Sequence, residues 1–322
     1  MKEENPGINK TKPEIFHVPV LLNEAIEGLN IKNEGVYVDA TFGGGGHTKA
    51  ILEKLSGGFL SGNEGRLFAF DQDEAAEKNI MMNERLIFIR QNFIHIKRML
   101  RVHGITKVDG VLADLGVSSF QVDNAYRGFA HRLEGVLDMR MDEQNEKTAA
   151  LIVNTYSEAL LQKIFSEYGE VRNAKTLAEK ITEARKEKSI NTIKEFIMVI
   201  DGCIRGNRNR YLAQVFQALR MEVNDELNAL KDLLRQSMEI LNTGGRLVVI
   251  SYHSLEDRIV KNFIRSGNTD GIEIKDGFGN KEKFFMPVNK KPVEASAMEI
   301  KINPRARSAK MRIAERLKVE LR

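Results

Sequence analysis

Four consecutive glycines, Gly43 to Gly46, stand between Val38-Asp-Ala-Thr-Phe42 and His47. Glycine lets a backbone turn tightly and approach a ligand where any Cβ would clash. A helix beginning just behind the glycines offers free N–H groups in its first turn. Two other strand-like runs end in acids: Asp71 closes Phe68-Ala-Phe-Asp71, and Asp114 closes Leu112-Ala-Asp114. In a parallel sheet, Asp39, Asp71 and Asp114 share the carboxyl edge, where open α/β sheets bind their ligands. A dinucleotide fold wants G-x-G-x-x-G with a pyrophosphate on the helix end. Three carboxylates disfavour that anion, because like charges repel unless a cation or hydrogen bonds offset them. They suit a cationic ligand such as the sulfonium and amino group of S-adenosyl-L-methionine. Asp71 can accept from both ribose hydroxyls of either kind of cofactor, while Asp73 suits a helix cap.

The elements that must carry these residues are legible. Gly35–Ala40, Arg66–Phe70, Asp109–Ala113 and Gly245–Ile250 are continuous apolar runs, the pattern of buried parallel strands. Leu86–Arg90 is a shorter one. Helices are predicted from His47 to Leu55, Glu74 to Glu84 and Ile94 to Val102, which gives the alternation of an open α/β sheet. From Glu143 to Gly202 no strand-like run occurs. Thr148–Asn154, Ser157–Glu167, Ala174–Lys188 and Ile193–Ile200 have helical period instead, so an inserted helical subdomain is expected. One long helix is predicted from Leu212 to Leu241, stopped by Asn242-Thr-Gly-Gly245. Ala297–Ile302 alternates like an edge strand, and Ser308–Leu321 reads as a basic helix.

The chain has 322 residues, a net charge of +4, one cysteine and no tryptophan. The composition is that of an ordinary globular protein, which excludes collagen-like and wholly disordered classes. No apolar run approaches the roughly 20 residues needed to span a bilayer, and Met1–Lys12 has no apolar core of a secretory signal. A cytoplasmic protein is expected. Charge is unevenly placed: Lys301 to Arg322 carry eight Lys/Arg and two Glu. Arg90–Lys107 and Cys203–Arg220 contain several cations and no acid. Such segments neutralise phosphates in nucleic-acid binders, although charge runs are commonly just solvated faces.

Eight strings occur in order over nearly the whole chain: His17-Val-Pro-Val-Leu-Leu22, Asp39–His47, Asp114-Leu-Gly-Val-Ser-Ser119, Arg127-Gly-Phe129, Leu137-Asp-Met-Arg-Met-Asp142, Phe216-Gln-Ala-Leu-Arg220, Ser251–Arg258 and Asn303–Ser308. Together they closely resemble the bacterial 16S ribosomal RNA cytosine-N4-methyltransferases, the ribosomal RNA small subunit methyltransferase H family. The resemblance implies a class I, Rossmann-like methyltransferase sheet with an inserted all-helical subdomain. It implies S-adenosyl-L-methionine as cofactor and a cytosine in the decoding region of 16S ribosomal RNA, within the small subunit, as substrate. By position it assigns Gly45, Gly46, His47, Asp71, Phe93, Asp114 and Gln121 to the cofactor. From the residues alone, Phe93 reads as a core aromatic and Gln121 as a loop glutamine. Three departures stand out. Phe120 replaces the proline expected in Ser-Ser-Pro-Gln, Val136 replaces a proline before Leu137, and Tyr211–Val215 replaces Pro-Ala-Thr-Arg-Thr, losing a cation.

The exocyclic amine of cytosine is a poor nucleophile, since its lone pair is delocalised into the ring. Catalysis then asks for acceptance of the N4–H hydrogens and alignment with the methyl group. The Asp/Asn-Pro-Pro-aromatic string of many amino-methyltransferases is absent, Asp114-Leu-Gly-Val standing in its place. Asp138 and His253 are the candidate acceptors. The alternative for Asp138 is an ion pair with Arg140, and for His253 a place at a helix start beside a Ser254 cap. No Cys/His metal spacing is visible. The expected organisation is residues 1–142 as the first part of the methyltransferase domain, 143–210 as the helical insertion, and 211–322 as the second part with a basic tail. Rival readings are a same-fold methyltransferase for DNA or protein, an NAD-binding oxidoreductase, and a non-catalytic RNA-binding module.

Overall fold

The computed structural model describes residues 19–56, 65–273, 275, 279 and 281–318. The first two residues of the His17–Leu22 string and the last four of the basic tail lie outside them. The buried apolar runs form the expected strands: β1 (Val36–Asp39), β2 (Arg66–Asp71), β3 (Leu86–Arg90), β4 (Val108–Asp114) and β5 (Leu241–Ser251). With β6 (Phe285–Pro287) and β7 (Lys310–Arg316) they make one sheet of order β3-β2-β1-β4-β5-β7-β6. β1 to β5 pair in parallel, whereas β7 runs antiparallel between β5 and β6. This is the class I, Rossmann-like methyltransferase sheet.

Helices cover both faces. α1 (Leu22–Leu29) and α2 (Gly46–Lys54) lie on one side, in a core with Tyr37, Leu67, Val248 and Met311. On the other, α3 (Ile96–Val102) shares a core with two later helices. A short α4 (Ser119–Asp123) follows β4. The middle of the chain is helical: α5 (Ala149–Thr155), α6 (Glu158–Glu167), α7 (Ala174–Glu187), α8 (Ile193–Ile200) and α9 (Arg208–Asn224). Ser157, Thr148 and Thr192 cap α6, α5 and α8 through their side-chain oxygens, satisfying orphan N–H groups. These helices bury a core of their own, running in sequence from Leu137 to Val223 and centred on Phe165, Phe196 and Leu219. By packing, α9 belongs to it. α10 (Glu226–Ile240), α11 (Ser254–Ser266) and α12 (Ala297–Ile302) complete the chain. Among the described residues, no helix is long and apolar enough to cross a membrane.

Four expectations need correction. The predicted helix at Leu212–Leu241 is two helices, because Asp225 adopts the left-handed conformation (φ 49°) between α9 and α10, a conformation short polar side chains tolerate. Arg220 bridges the break, its guanidinium donating to both oxygens of Glu226 at 2.7 and 2.9 Å. Glu74–Glu84 shrinks to a 3-10 turn at Glu74–Asn79, capped by Asp73. Ala297–Ile302 is the helix α12, not a strand, because Ser296 caps it by accepting from Glu299 N–H. Conversely the described part of Ser308–Leu321, up to Lys318, is not a helix but carries the strand β7. Met311 and Ile313 face the core as alternate residues of β7, and Arg312 pairs with Asp257 at 2.6 and 3.0 Å.

Phe196 is fully buried in the helical core. Truncation to alanine there removes a large ring that its surroundings cannot fully refill. Phe196→Ala is expected to lower stability by about 3–5 kcal/mol in urea unfolding followed by circular dichroism. A loss below about 1 kcal/mol would contradict the packing described.

Candidate functional site

Parallel pairing of β1, β2 and β4 brings Asp39, Asp71 and Asp114 to one edge, but their environments differ. Asp39 is buried and satisfied within the protein. Its Oδ2 accepts from Thr48 Oγ1 at 2.7 Å and its Oδ1 from Thr41 N–H at 3.1 Å. Thr41 in turn accepts from Asp114 N–H at 2.7 Å, tying the ends of β1 and β4 together. Asp39 is therefore a scaffold group.

Asp71 and Asp114 keep an opening. Asp71 accepts Gly43 N–H at 2.7 Å and Asp73 N–H at 2.8 Å, one on each oxygen. Each oxygen retains a lone pair, as two vicinal hydroxyl donors would need. Asp114 accepts from Tyr252 Oη at 2.7 Å, and its other oxygen lies 3.8 Å from His47 Nδ1. His47 Nε2 sits 3.1 Å from the carbonyl oxygen of Val20, which only accepts, so this nitrogen carries the hydrogen and Nδ1 faces Asp114. Burial raises both carboxyls to about 6, and the neighbouring acids Asp73, Asp39 and Glu256 push further in the same direction. The hydrogen bonds and His47 only partly offset this.

The glycine loop lies between them. Gly43 and Gly45 have positive φ, 50° and 74°, which a β-carbon disfavours. A Cβ on Gly46 would sit 2.1 Å from Pro19 Cγ, so the chain can cross the start of α2 only at glycine. Phe93 opens the 3-10 turn after β3 and packs partly against the sheet core, consistent with its reading from the residues alone. Gln121 is buried with both ends of its amide engaged. Oε1 accepts Ser118 N–H at 3.0 Å, and Nε2 donates to Asp73 Oδ2 at 2.6 Å. Its place in the site is to hold the turn after Asp71.

Asp138 is fully engaged by a neighbour, and His253 is engaged through one of its two ring nitrogens. Both oxygens of Asp138 accept from Arg140, each at 2.8 Å. Met139 between them has φ 67° and is fully buried, so the turn is a built feature of the chain leading into the helices. His253 itself caps α11, with Nδ1 accepting Glu256 N–H at 3.4 Å, the role expected of Ser254. Its Nε2 lies 3.2 Å from Glu256 Oε1. Glu226, His253 and Glu256 approach closely enough to share a cation. The Arg220 guanidinium already answers Glu226 there, and its field acts on Glu256 as well.

Sequence reasoning missed Tyr252 and Arg127. Arg127 is buried, donates to Asp73 at 3.0 Å and to the carbonyls of Arg140 and Met141 at 2.9 and 3.1 Å. It thus ties the end of β2 to the Leu137–Asp142 string. Both residues stand in strings quoted above for other reasons, and only the fold shows their partners.

These residues fit S-adenosyl-L-methionine. Two carboxyls held above their ordinary range at a partly open edge gain by ionising beside a sulfonium or ammonium group. A loop that a Cβ would block lies between them. Asp114 offers a clean test, because an amide at this position can accept from Tyr252 and donate towards His47. A carboxyl raised in the folded state favours folding below its unfolded value and loses that contribution as pH rises through about 6. Asp114→Asn is therefore expected to melt higher than wild type at pH 7.5 without ligand, the gap closing by about pH 4. Calorimetric melting at both pH values measures it. A variant less stable at pH 7.5 would contradict the assignment.

The comparisons with known proteins agree with this geometry. The model of the MraW methylase family matches residues 14–317. A ribosomal RNA small subunit methyltransferase H of Cytophaga hutchinsonii is 53% identical over 305 residues, covering 94% of this chain and all of that protein. Its namesake from Phocaeicola vulgatus is 51% identical over 304 residues, covering 94% of this chain and 98% of the other. That of Flavobacterium psychrophilum is 52% identical over 298 residues, 92% of this chain and 100% of the other. With its sheet, its glycine loop and its matched strings, the chain belongs to the MraW methylase family.

Proposed function

We propose that this protein transfers a methyl group from S-adenosyl-L-methionine to N4 of a cytosine in the decoding region of 16S ribosomal RNA. The observation that carries the reading is the pair Asp71 and Asp114, two raised carboxyls flanking a glycine loop at the sheet edge. Relatives of about half identity bearing a small-subunit ribosomal RNA methyltransferase name support the substrate class. The protein would work in the cytoplasm on the small ribosomal subunit or its RNA. Residues 1–142 and 225–322 would form the methyltransferase domain, and the helical residues 143–224, extended by α9 beyond the expected boundary at 210, would help to recognise RNA.

When bound, the cofactor supplies a methyl group made electrophilic by the positive sulfur. Asp71 would hold the ribose through its two remaining lone pairs. Gly45, Gly46 and His47 would line the loop side, Phe93 would lie by the adenine, and Asp114 would face the cationic end. As the N4 lone pair forms its bond to the methyl carbon, the carbon–sulfur bond breaks. N4 becomes a positively charged, protonated secondary amine, and one of its two hydrogens leaves as a proton. A protonated amine on an electron-poor ring is strongly acidic, so water can take that proton. Alignment is then the main contribution of the chain. Asp138, clamped by Arg140, and His253, turned on Glu256, are assigned positioning roles on their present contacts.

Three outcomes follow. Tritiated methyl transfer to isolated 30S subunits and to naked 16S RNA, followed by nucleoside analysis, should yield N4-methylcytidine from at least one of them. Asp71→Ala should abolish measurable cofactor binding and transfer, whereas methylation of DNA but not ribosomal RNA would overturn the substrate. His253→Gln should retain kcat within about tenfold of wild type, because losing a general base typically costs 10²–10⁴-fold. A loss in that larger range at saturating substrates would make His253 the proton acceptor.

A further inference from the structure

Phe120 and Tyr126 are large side chains held out in solvent, 48% and 81% exposed. Both lie in the segment after β4, on α4 and on the 3-10 turn at Ala125–Arg127. The residues that immediately follow them behave oppositely. Gln121 and Arg127 are buried, and both end on one carboxylate, that of Asp73. Asp73 is two residues past Asp71, at the start of the next turn. An exposed ring followed by a buried polar anchor occurs twice, with the same anchor point. Asn124 joins the two units, its N–H donating to the Phe120 carbonyl at 3.1 Å and its Oδ1 accepting Tyr126 N–H at 3.0 Å. The rings are thus displayed from a fixed support at the sheet edge where the cofactor is placed.

The surroundings carry surplus positive charge. Asp123, between the rings in sequence, receives two cations, Arg132 at 2.8 Å and Arg305 at 3.0 Å. Arg305 also donates to Ser119. Arg307, two residues beyond Arg305, is exposed. Exposed aromatic faces with a cationic margin suit a single strand of nucleic acid, whose bases stack while its phosphates meet the cations. A duplex hides its base faces and gains nothing from such rings.

We propose that Phe120 and Tyr126 form a stacking platform for unpaired bases of the substrate RNA, flanking the base that receives the methyl group. The proposal rests on the RNA reading above. It assigns a task to Phe120, which stands where the resembled family has proline. A flipped or looped target needs its neighbours held as well as itself, and two exposed rings on a fixed backbone support beside the site do this without reading sequence.

The chain has no tryptophan, so Tyr126→Trp introduces a single indole reporter. A single-stranded oligoribonucleotide of 16S sequence should quench its fluorescence at least twofold, and the same sequence as a duplex should leave it unchanged at equal salt. Phe120→Ala combined with Tyr126→Ala should weaken single-strand binding by about 30-fold or more, raise KM for RNA, and leave the cofactor Kd within twofold. An unquenched indole on an RNA that demonstrably binds would overturn the platform, as would wild-type RNA affinity in the double variant. If the rings instead face a second copy of the chain, the double variant will change the sedimentation coefficient while RNA affinity stays constant, which also overturns it. Absence of RNA binding and methyl transfer in the wild type would instead refute the function on which the proposal rests.

Discussion

Carboxylates placed at the ends of parallel strands, where protein crowds out water, are the constraint on which this molecule depends. Burying an unpaired charge is costly, and three such groups at one edge repel one another. The structure encloses one of them completely. Asp39 takes hydrogen bonds from Thr41 and Thr48 and becomes part of the frame. Burial holds all three carboxyls above their ordinary range, Asp71 and Asp114 at about 6, but only these two keep a partly open side. Their remaining disadvantage is what a cationic ligand relieves, so the site is made by leaving the frame incomplete at two positions.

The surrounding polar network then fixes geometry around that gap. Asp73 gathers Gln121 and Arg127, and Arg127 reaches on to the backbone of Arg140 and Met141. One buried guanidinium therefore connects the cofactor edge with the chain that enters the helical core. A second, Arg220, spans the break at Asp225 and faces Glu226 near Glu256 and His253. Tyr252 links that cluster back to Asp114, through its hydroxyl on the carboxylate and its N–H on Glu256. The two networks approach Asp71 and Asp114 from opposite sides of the edge, which is how a site assembled from loops acquires rigidity.

Sequence carried the sheet well, because Val36–Asp39, Arg66–Asp71 and Val108–Asp114 are continuous apolar runs whose period admits few alternatives. It carried the glycine loop and the acids on which the cofactor reading rests for the same reason: strand ends and glycines are local signals. It failed where a choice depended on partners far away in sequence. β7 is a strand because β5 and β6 receive it, a fact absent from Ser308–Leu321 itself. Charge misled in a related way. Segments free of acids in sequence meet acids in space: Arg90 meets Glu74 and Glu77, Lys97 meets Glu239, and Arg208 meets Asp201. Much of the basic tail is spent inside the fold, Arg312 on Asp257 and Arg316 over Phe284 and Phe285. The positive surface left for RNA is smaller and more local than composition suggested, and its aromatic members were not visible as such. Asp138 and His253 carried the right chemistry by type, but Arg140 takes both oxygens of Asp138 and the Glu256 N–H takes His253 Nδ1. His253 Nε2 has no hydrogen-bond partner among the described residues.

The central claim is that cofactor binding ionises both carboxyls, Asp71 through the ribose hydroxyls that donate to it and Asp114 through the cationic end. Titration calorimetry of S-adenosyl-L-methionine at pH 6, repeated in buffers of different ionisation enthalpy, counts the protons exchanged. With both groups near 6, each is about half protonated in the free protein. Binding should release about one proton at pH 6 and markedly less at pH 7. No release at pH 6, or uptake, would contradict the account.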